Sequence, residues 1–585
     1  MRTFPAVQGE LLLPLLLHLV LTALPMAAAA LGAAKLGVRR LPLLLAIGMA
    51  AGGVAAIVAF WVYYWDRLAG ESFSYFVAFG SAAWIVWSLI AGGLDRRLLR
   101  GLAVPFGLWA LGSAFLVFFG FLHAGLVEPL GVGGTRFSDP LPTDNGIPFF
   151  YADWFFDHGY RGDPPLFGDW LSSDRPPLQI GYVLAQRPFG WDETGLHYQV
   201  LGVVLQQLWI VGAWALLLAG RVGRLTRALT MIVLLLSSLA ILNGFFVWPK
   251  MLPAAMLLAA AAMVLTPLWG ELRGKLWAGA LFAALCALAM LGHGASVFGV
   301  IPLLVIAALR GMPSWRWLGV AAMVGIVLMA PWSAYQKYGD PPGNRLLKWT
   351  LAGVVDPKDD RGTFEAISDT YGEAGFERAL HWKGQNFVMM VGGKSAYESM
   401  KSALESGSLT KIVKATRAVL FFNLIPSLGL LLLAPLAMAF AWRRGSPDPD
   451  EWRFALVCLG AFLVGAVAWG LLVIGSKAYL TSIHIGSYLV PILGICGCAV
   501  GLRAALPRFA VPYLGFAALL SLALYVPVYD PLPGSRFSVA NALLAAAGLA
   551  GFVLLAVHQP DRRREAEAEE DHSEQGRNVG ERVLG

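Results

Sequence analysis

The chain has 585 residues, of which 57% are hydrophobic and 14% charged, with a mean hydropathy of +0.64; soluble chains run nearer roughly 45–50% apolar and about 25% charged. These figures exclude a soluble enzyme, a disordered chain and, with only four cysteines, a secreted disulfide scaffold. The net charge of +7 reads as the topology bias of a membrane protein rather than a nucleic-acid surface, so no nucleic-acid partner is expected.

A spanning helix requires roughly 20 predominantly apolar residues. Such stretches run over 11–34, 41–65, 75–94, 102–127, 198–219, 228–247, 251–268, 276–292, 295–309, 317–334, 416–441, 454–474, 485–501, 509–529 and 538–557. The expected fold class is an all-α polytopic membrane protein with about 13–15 transmembrane helices and two large extracytoplasmic loops carrying juxtamembrane helices. Five regions follow: N-terminal helices (1–100), a core (101–334) that includes the loop 128–197, a second loop (335–415), C-terminal helices (416–557) and a charged tail (558–585) expected to be disordered.

The connections alternate in charge. Lys35, Arg39 and Arg40; Arg96, Arg97 and Arg100; Arg221, Arg224 and Arg227; Arg273 and Lys275; Arg310 and Arg316; Arg443, Arg444 and Arg453; and Arg503 and Arg508 make eighteen basic residues on one side. The other side's short connections hold four, Arg67, Lys250, Lys477 and Arg536. The positive-inside rule makes the first set cytoplasmic, places the N-terminus outside and the C-terminus in the cytoplasm of a plasma or inner membrane. A cleaved signal peptide over 11–34 is the competing reading, opposed by the basic cluster from Lys35 to Arg40.

Both long loops then lie outside. The first carries TDNGIPFFYADWFFDHGYRGDPPLFGDWLSSDRPPLQIGYVLAQRPF from Thr143 to Phe189, in which aspartates alternate with aromatics. The spacing predicts a helix over 147–158 lying along the membrane surface, with Asp153 and Asp157 on one face. Asp144 precedes its first turn, where an N-cap is the plain structural reading. Ser172 to Leu178 reads equally as a turn. In the second loop, amphipathic helices are expected around 363–382 and 394–406.

Taken together, Asp144 opening an aromatic juxtamembrane helix, Gly168-Asp169-Trp170, and Asp174-Arg175-Pro176-Pro177-Leu178 resemble the C-type, polyprenyl-phosphate-sugar-dependent glycosyltransferase superfamily. The pattern is most similar to the aminoarabinose transferase of lipid A and the related protein mannosyltransferases. The resemblance implies Asp144 as catalytic base, Asp174 as the acidic residue before the basic one, and Arg175 as the residue contacting the lipid phosphate. It implies transfer of a sugar, with inversion, from a polyprenyl-phosphate donor to an envelope glycan, lipid or protein at the outer face of the bilayer. Family members differ in metal dependence, so a divalent cation (Mg2+ or Mn2+) held by Asp144 and Asp174 stays open. The family's common Asp-Glu pair is Asp144-Asn145 here, so Asp153, Asp169 or Asp174 would have to supply any second carboxylate. Residues 1–100 lie outside the resemblance.

Supporting candidates share the outer side: Arg345 and Lys348 as further phosphate ligands, Lys250 and His293 at helix ends, and His484 with Tyr488 before Pro491. The plain reading of each is a snorkelling lysine or a packed histidine. Phosphate binding favours arginine, whose guanidinium grips two oxygens at once. No P-loop, dinucleotide fingerprint, zinc spacing or nucleophile elbow is present. The competing functions are a transporter or flippase for lipid-linked glycans, which would need ionisable groups at mid-membrane, and an O-antigen-ligase-like protein working through the second loop.

Overall fold

The computed structural model describes residues 4–92, 95–123, 126–138, 141–190, 195–356, 358–442, 448–475, 488–528 and 536–558. It is 80% helical and has no strand among the described residues, so each helix satisfies its own backbone, as hydrocarbon demands. The chain is an all-α, multi-pass membrane protein.

Four long helices come first: α1 (Phe4–Lys35), α2 (Leu41–Trp65), α3 (Arg67–Ile90) and α4 (Arg96–Gly120). Asp66 ends α2 and starts α3 by accepting the Ala69 amide at 2.8 Å, and Asp95 starts α4 through the Arg97 amide. The first loop folds into α5 (Pro129–Thr135), a 3₁₀ turn (Thr143–Gly146), α6 (Ile147–His158), a second 3₁₀ turn (Ser172–Asp174) and α7 (Leu178–Gln186). Next come α8 (Leu196–Gln206) with α9 (Trp209–Ala219), and α10 (Arg224–Leu235) with α11 (Ser238–Phe246), the second pair bent by 53°. α12 (Met251–Val264), α13 (Trp269–Leu272), α14 (Leu276–Gly292), α15 (Val297–Leu309) and α16 (Trp315–Ala334) lead into the second loop. That loop holds α17 (Arg345–Ala352), α18 (Thr363–Met390) and α19 (Gly393–Glu405). After α20 (Leu409–Phe422) the chain turns by 94° toward α21 (Ala434–Trp442), and α22 (Pro449–Leu472), α23 (Leu489–Ala505), α24 (Pro507–Tyr525) and α25 (Val539–Val557) follow.

Among the described residues, nine helices are long and apolar enough to cross a membrane, or up to eleven with the two bent pairs. Four shorter apolar helices, Met251–Val264, Leu276–Gly292, Gly294–Leu309 and Leu489–Ala505, occupy the remaining stretches expected from hydropathy. α12 shows why length fails as a criterion there. Every one of its residues is buried by other helices, so nothing requires its ~21 Å to match the hydrocarbon thickness. The third expected stretch, 75–94, is in fact Arg67–Ile90, because Asp66 starts the helix earlier than hydropathy does. α18 also exceeds its expected end at 382, running to Met390 through a kink at Gly375, whose φ is +68°. The tail beyond His558 lies outside the described residues.

The helices around α12 carry a polar ladder. Gln206 accepts the Met251 and Leu252 amides at 2.9 and 3.0 Å, capping α12 from a neighbouring helix. Its amide nitrogen donates to Gln179, which in turn donates to the Tyr198 hydroxyl and the Val247 carbonyl. Tyr198 donates to the Asn145 carbonyl at 2.6 Å. One chain of hydrogen bonds thus ties the Asp144 turn to the start of α12.

Contacts between connections sort by charge class. Arg40 pairs with Glu271 at 2.7 Å, and Glu451 accepts from the Gly223 amide and the Thr226 hydroxyl, so the arginine-rich connections meet one another. At the other end Arg67 reaches Asp157 at 3.4 Å, Arg136 and Arg417 donate to the carbonyls that follow α24, and the Ser538 amide bonds Leu122. Each of these bonds joins connections of the same set, as the charge alternation requires. The four cysteines are buried, which permits a direct assay of sidedness. Cysteine introduced at Asp163 should react with a membrane-impermeant thiol reagent in intact cells, and cysteine introduced at Gly274 should react only after permeabilisation. The reverse pattern would turn the assigned orientation over.

Candidate functional site

Four pieces of chain converge at one end of the bundle: the Thr143–Gly146 turn, the 169–175 segment, residues 248–250 before α12, and residues 335–349 at the start of the second loop. Asp144 does not cap α6. The residue before that helix is Gly146, with no side-chain cap, and the Asp144 carboxylate instead accepts from Arg175 Nη2 at 3.1 Å. Proline at positions 176 and 177 follows Arg175 and leads into α7. Trp170 floors the site, with the guanidinium of Arg175 4.1 Å and that of Arg345 5.3 Å from its ring. Its carbonyl accepts the Tyr151 hydroxyl at 2.6 Å, and its ring leans on Trp349 at 5.9 Å.

Asp174 is 2% exposed. It accepts the Leu171 amide at 3.0 Å and pairs with Arg345 at 3.2 Å, and Arg345 also donates to the Asp169 carbonyl. Burial pushes the Asp174 carboxyl above the usual carboxylate range, opposed by the Leu171 amide and the two arginines. The second loop braces the same turn: Asp340 accepts from Ser172 Oγ at 2.7 Å and the Ser173 amide at 3.0 Å. Tyr335 hydrogen-bonds the Ser172 hydroxyl, and Gln336 donates to the Ser173 carbonyl at 3.0 Å.

Lys250 is 2% exposed, and its ammonium sits 4.2 Å from the Trp248 ring. Among the described residues no side chain or carbonyl bonds its Nζ. Burial drives its pKa well below the ordinary lysine value, Arg175 adds to that shift by repulsion, and Asp144 opposes it. Arg175 is likewise pushed down by burial and held up by Asp144 and Asp174. The Asp144 side chain keeps 14% exposure, against 5% for Arg175 and 1% for Asp174, so it is the carboxylate of this group that faces open space.

The remaining expected residues are distributed more widely. His293 accepts the Ala295 amide at 3.1 Å, with its ring 6.0 Å from Trp248, and so borders the lysine. Lys348 is fully buried but directed to Asp359, which also holds Arg361. Asp153 pairs with Arg187, and the Asp169 side chain is exposed while its carbonyl serves Arg345. Of the three candidates for a second carboxylate, only Asp174 joins the cluster. Asn145 donates to the Leu130 carbonyl at 2.9 Å, a structural bond. Tyr488 is buried with φ +65°, and His484 lies outside the described residues. Phe155 of α6 packs inward on Phe60 of α2 and on Tyr335 at the start of the second loop.

Asp144 and Asp174, the carboxylates considered for a divalent ion, are held by different arginines. Among the described residues no group of three or more His, Cys, Asp or Glu side chains forms a metal-ligand set. Arg175 and Lys250, the cations near Asp144, give this end of the site positive charge that suits an anion. No protein-family model, characterised protein or solved structure matches the chain.

The Asp174–Arg345 pair is a test of what holds the site. Removing one partner of a buried pair strands the other charge, at a cost of about 3–5 kcal/mol. Arg345→Met should therefore lower the thermal midpoint in nanodiscs markedly, and adding Asp174→Asn should restore most of the loss; equal midpoints for all three proteins would show the pair to be energetically silent.

Proposed function

We propose that the chain is a membrane glycosyltransferase that moves a sugar from a polyprenyl-phosphate donor to an envelope glycan, lipid or protein at the extracytoplasmic face. The observation that carries this reading is a partly open carboxylate flanked by a buried arginine and a buried lysine without an anionic partner among the described residues. Glycosyl transfer needs that set: a base for the acceptor hydroxyl and fixed positive charge for the departing phosphate. The acceptor oxygen bonds the anomeric carbon as the bond from that carbon to the phosphate oxygen breaks. The electron pair leaves on the phosphate, toward Arg175 and Lys250, and the hydroxyl proton passes to Asp144. A single displacement of this kind inverts the anomeric centre.

Leu21, Gly52, Phe73, Val77, Tyr182 and Gln186 of α1, α2, α3 and α7 line a narrow, mainly apolar cleft of about 30 Å³. α7 joins the two features, since Arg175 precedes its first turn and its last residues line the cleft. The transporter alternative rests on His18, which hydrogen-bonds Gln186 at 2.8 Å and His197 at 3.1 Å. The concentration of charge at one end of the bundle favours interfacial chemistry over passage.

Purified protein in nanodiscs, supplied with a panel of polyprenyl monophosphate sugars, tests the reading. Asp144→Asn should lower transfer by at least about 100-fold, the lower end of what a general base contributes, with the thermal midpoint of the folded protein still measurable. Transfer at the wild-type rate would remove Asp144 from the base role, and consumption of no donor would remove the function. A second check uses pH. Because burial lowers the Lys250 pKa, the amine gains its charge only as pH falls through that lowered value, so affinity for polyprenyl phosphate should rise as pH is lowered while the phosphate, which ionises at about pH 6, keeps its charge. Lys250→Arg, charged throughout, should flatten that dependence in calorimetric titrations.

A further inference from the structure

Arg175 is committed to Asp144 by one bond, Nη2 to Oδ2 at 3.1 Å, while its buried Nε has no partner among the described residues. The other nearby carboxylate, Asp174, is held by Arg345 and the Leu171 amide. A guanidinium grips a phosphate best through two parallel N–H bonds along one edge. Here Asp144 occupies Nη2, and Trp170 closes one face of the guanidinium. A phosphate that grips Arg175 through a pair of bonds including Nη2 competes with the carboxylate for it. Lys250 lies within electrostatic reach of Arg175 and Asp144, and its unbonded ammonium gives the incoming anion a second contact. While the pair stands, Oδ2, one of the two Asp144 oxygens, is occupied by a guanidinium hydrogen.

We propose that the donor phosphate exchanges with Asp144 on Arg175, so that donor binding frees the base and the acceptor engages second. This rests on the glycosyl-transfer reading of the site and adds to it an order of events and a competition between an internal and an external anion. Without donor, Asp144 Oδ2 stays bound to Arg175. With donor, two cations face the phosphate and one carboxylate is released beside the sugar.

The competition has a counter-intuitive signature. Polyprenyl monophosphate without a sugar is titrated into wild-type, Asp144→Asn, Asp144→Glu and Lys250→Met protein in nanodiscs, with thermal midpoints taken first without lipid phosphate. Removing the competing charge should tighten phosphate binding in Asp144→Asn by about tenfold or more, since like charges placed together oppose association. Asp144→Glu, which keeps the charge, should not tighten it, and Lys250→Met should weaken it. Equal or weaker binding by a folded Asp144→Asn protein, while wild type binds, overturns the exchange and leaves the transferase reading standing. Wild type that binds no polyprenyl phosphate overturns both. A readout on the unaltered protein covers the case in which Asp144→Asn fails to fold. Carbodiimide modification of Asp144, followed by mass spectrometry, should accelerate when polyprenyl monophosphate is added, and unchanged or slower modification overturns the exchange.

Discussion

A guanidinium taken out of water must recover both its charge balance and its hydrogen bonds inside the protein, and at Arg175 this demand shapes everything nearby. Trp170 lies flat against one face, Asp144 meets one edge, and Asp174 stands within electrostatic range but is itself held by Arg345. The turn that presents Arg175 is three residues long and could not keep such a group buried alone. It is held from the second loop by Asp340, Tyr335 and Gln336. The two large loops are therefore one structure around a single cation, although more than 160 residues of chain separate Ser172 from Tyr335.

The same logic extends into the bundle. Low-dielectric surroundings raise the penalty for every unbonded amide, and the capping of α12 by Gln206 is an answer to it. Because that amide belongs to a ladder running through Gln179 and Tyr198 to Asn145, the height of Lys250 relative to Asp144 is set by side-chain hydrogen bonds. Asn145 ends the ladder with its backbone carbonyl, while its side chain fixes the same turn by donating to the Leu130 carbonyl.

Hydropathy located nearly all of the membrane architecture, because lipid leaves few alternatives to an apolar helix. It overstated length criteria for α12, which never meets lipid. Within the site, Asp144 and Arg175 were legible because an acid before an aromatic helix and a base before two prolines are unusual in a loop. Asp340 carries no such mark in the sequence, nor does anything there show that two guanidinium groups lie against the Trp170 ring. Asp340 sits in a mixed-charge stretch where any of ten acids looks alike, and only the folded loop brings it to Ser172. Helical spacing placed Asp153 and Asp157 on one face, but it could not reveal that Arg187 and Arg67 wait for them. Lys348 shows the converse: one helical turn from Arg345, it faces Asp359 because α17 presents the two side chains to different neighbours.

α7 is pinned against α2. A Cβ at Gly181 would overlap the Ala56 carbonyl, so this helix lies directly on the backbone of α2 and cannot slide without collision. Its nine residues, at 1.5 Å each, separate its two ends by about 13 Å. α7 is thus a fixed spacer, with the buried Arg175 just ahead of its first turn and a narrow apolar cleft beside its last residues, and backbone geometry alone sets the distance between the two.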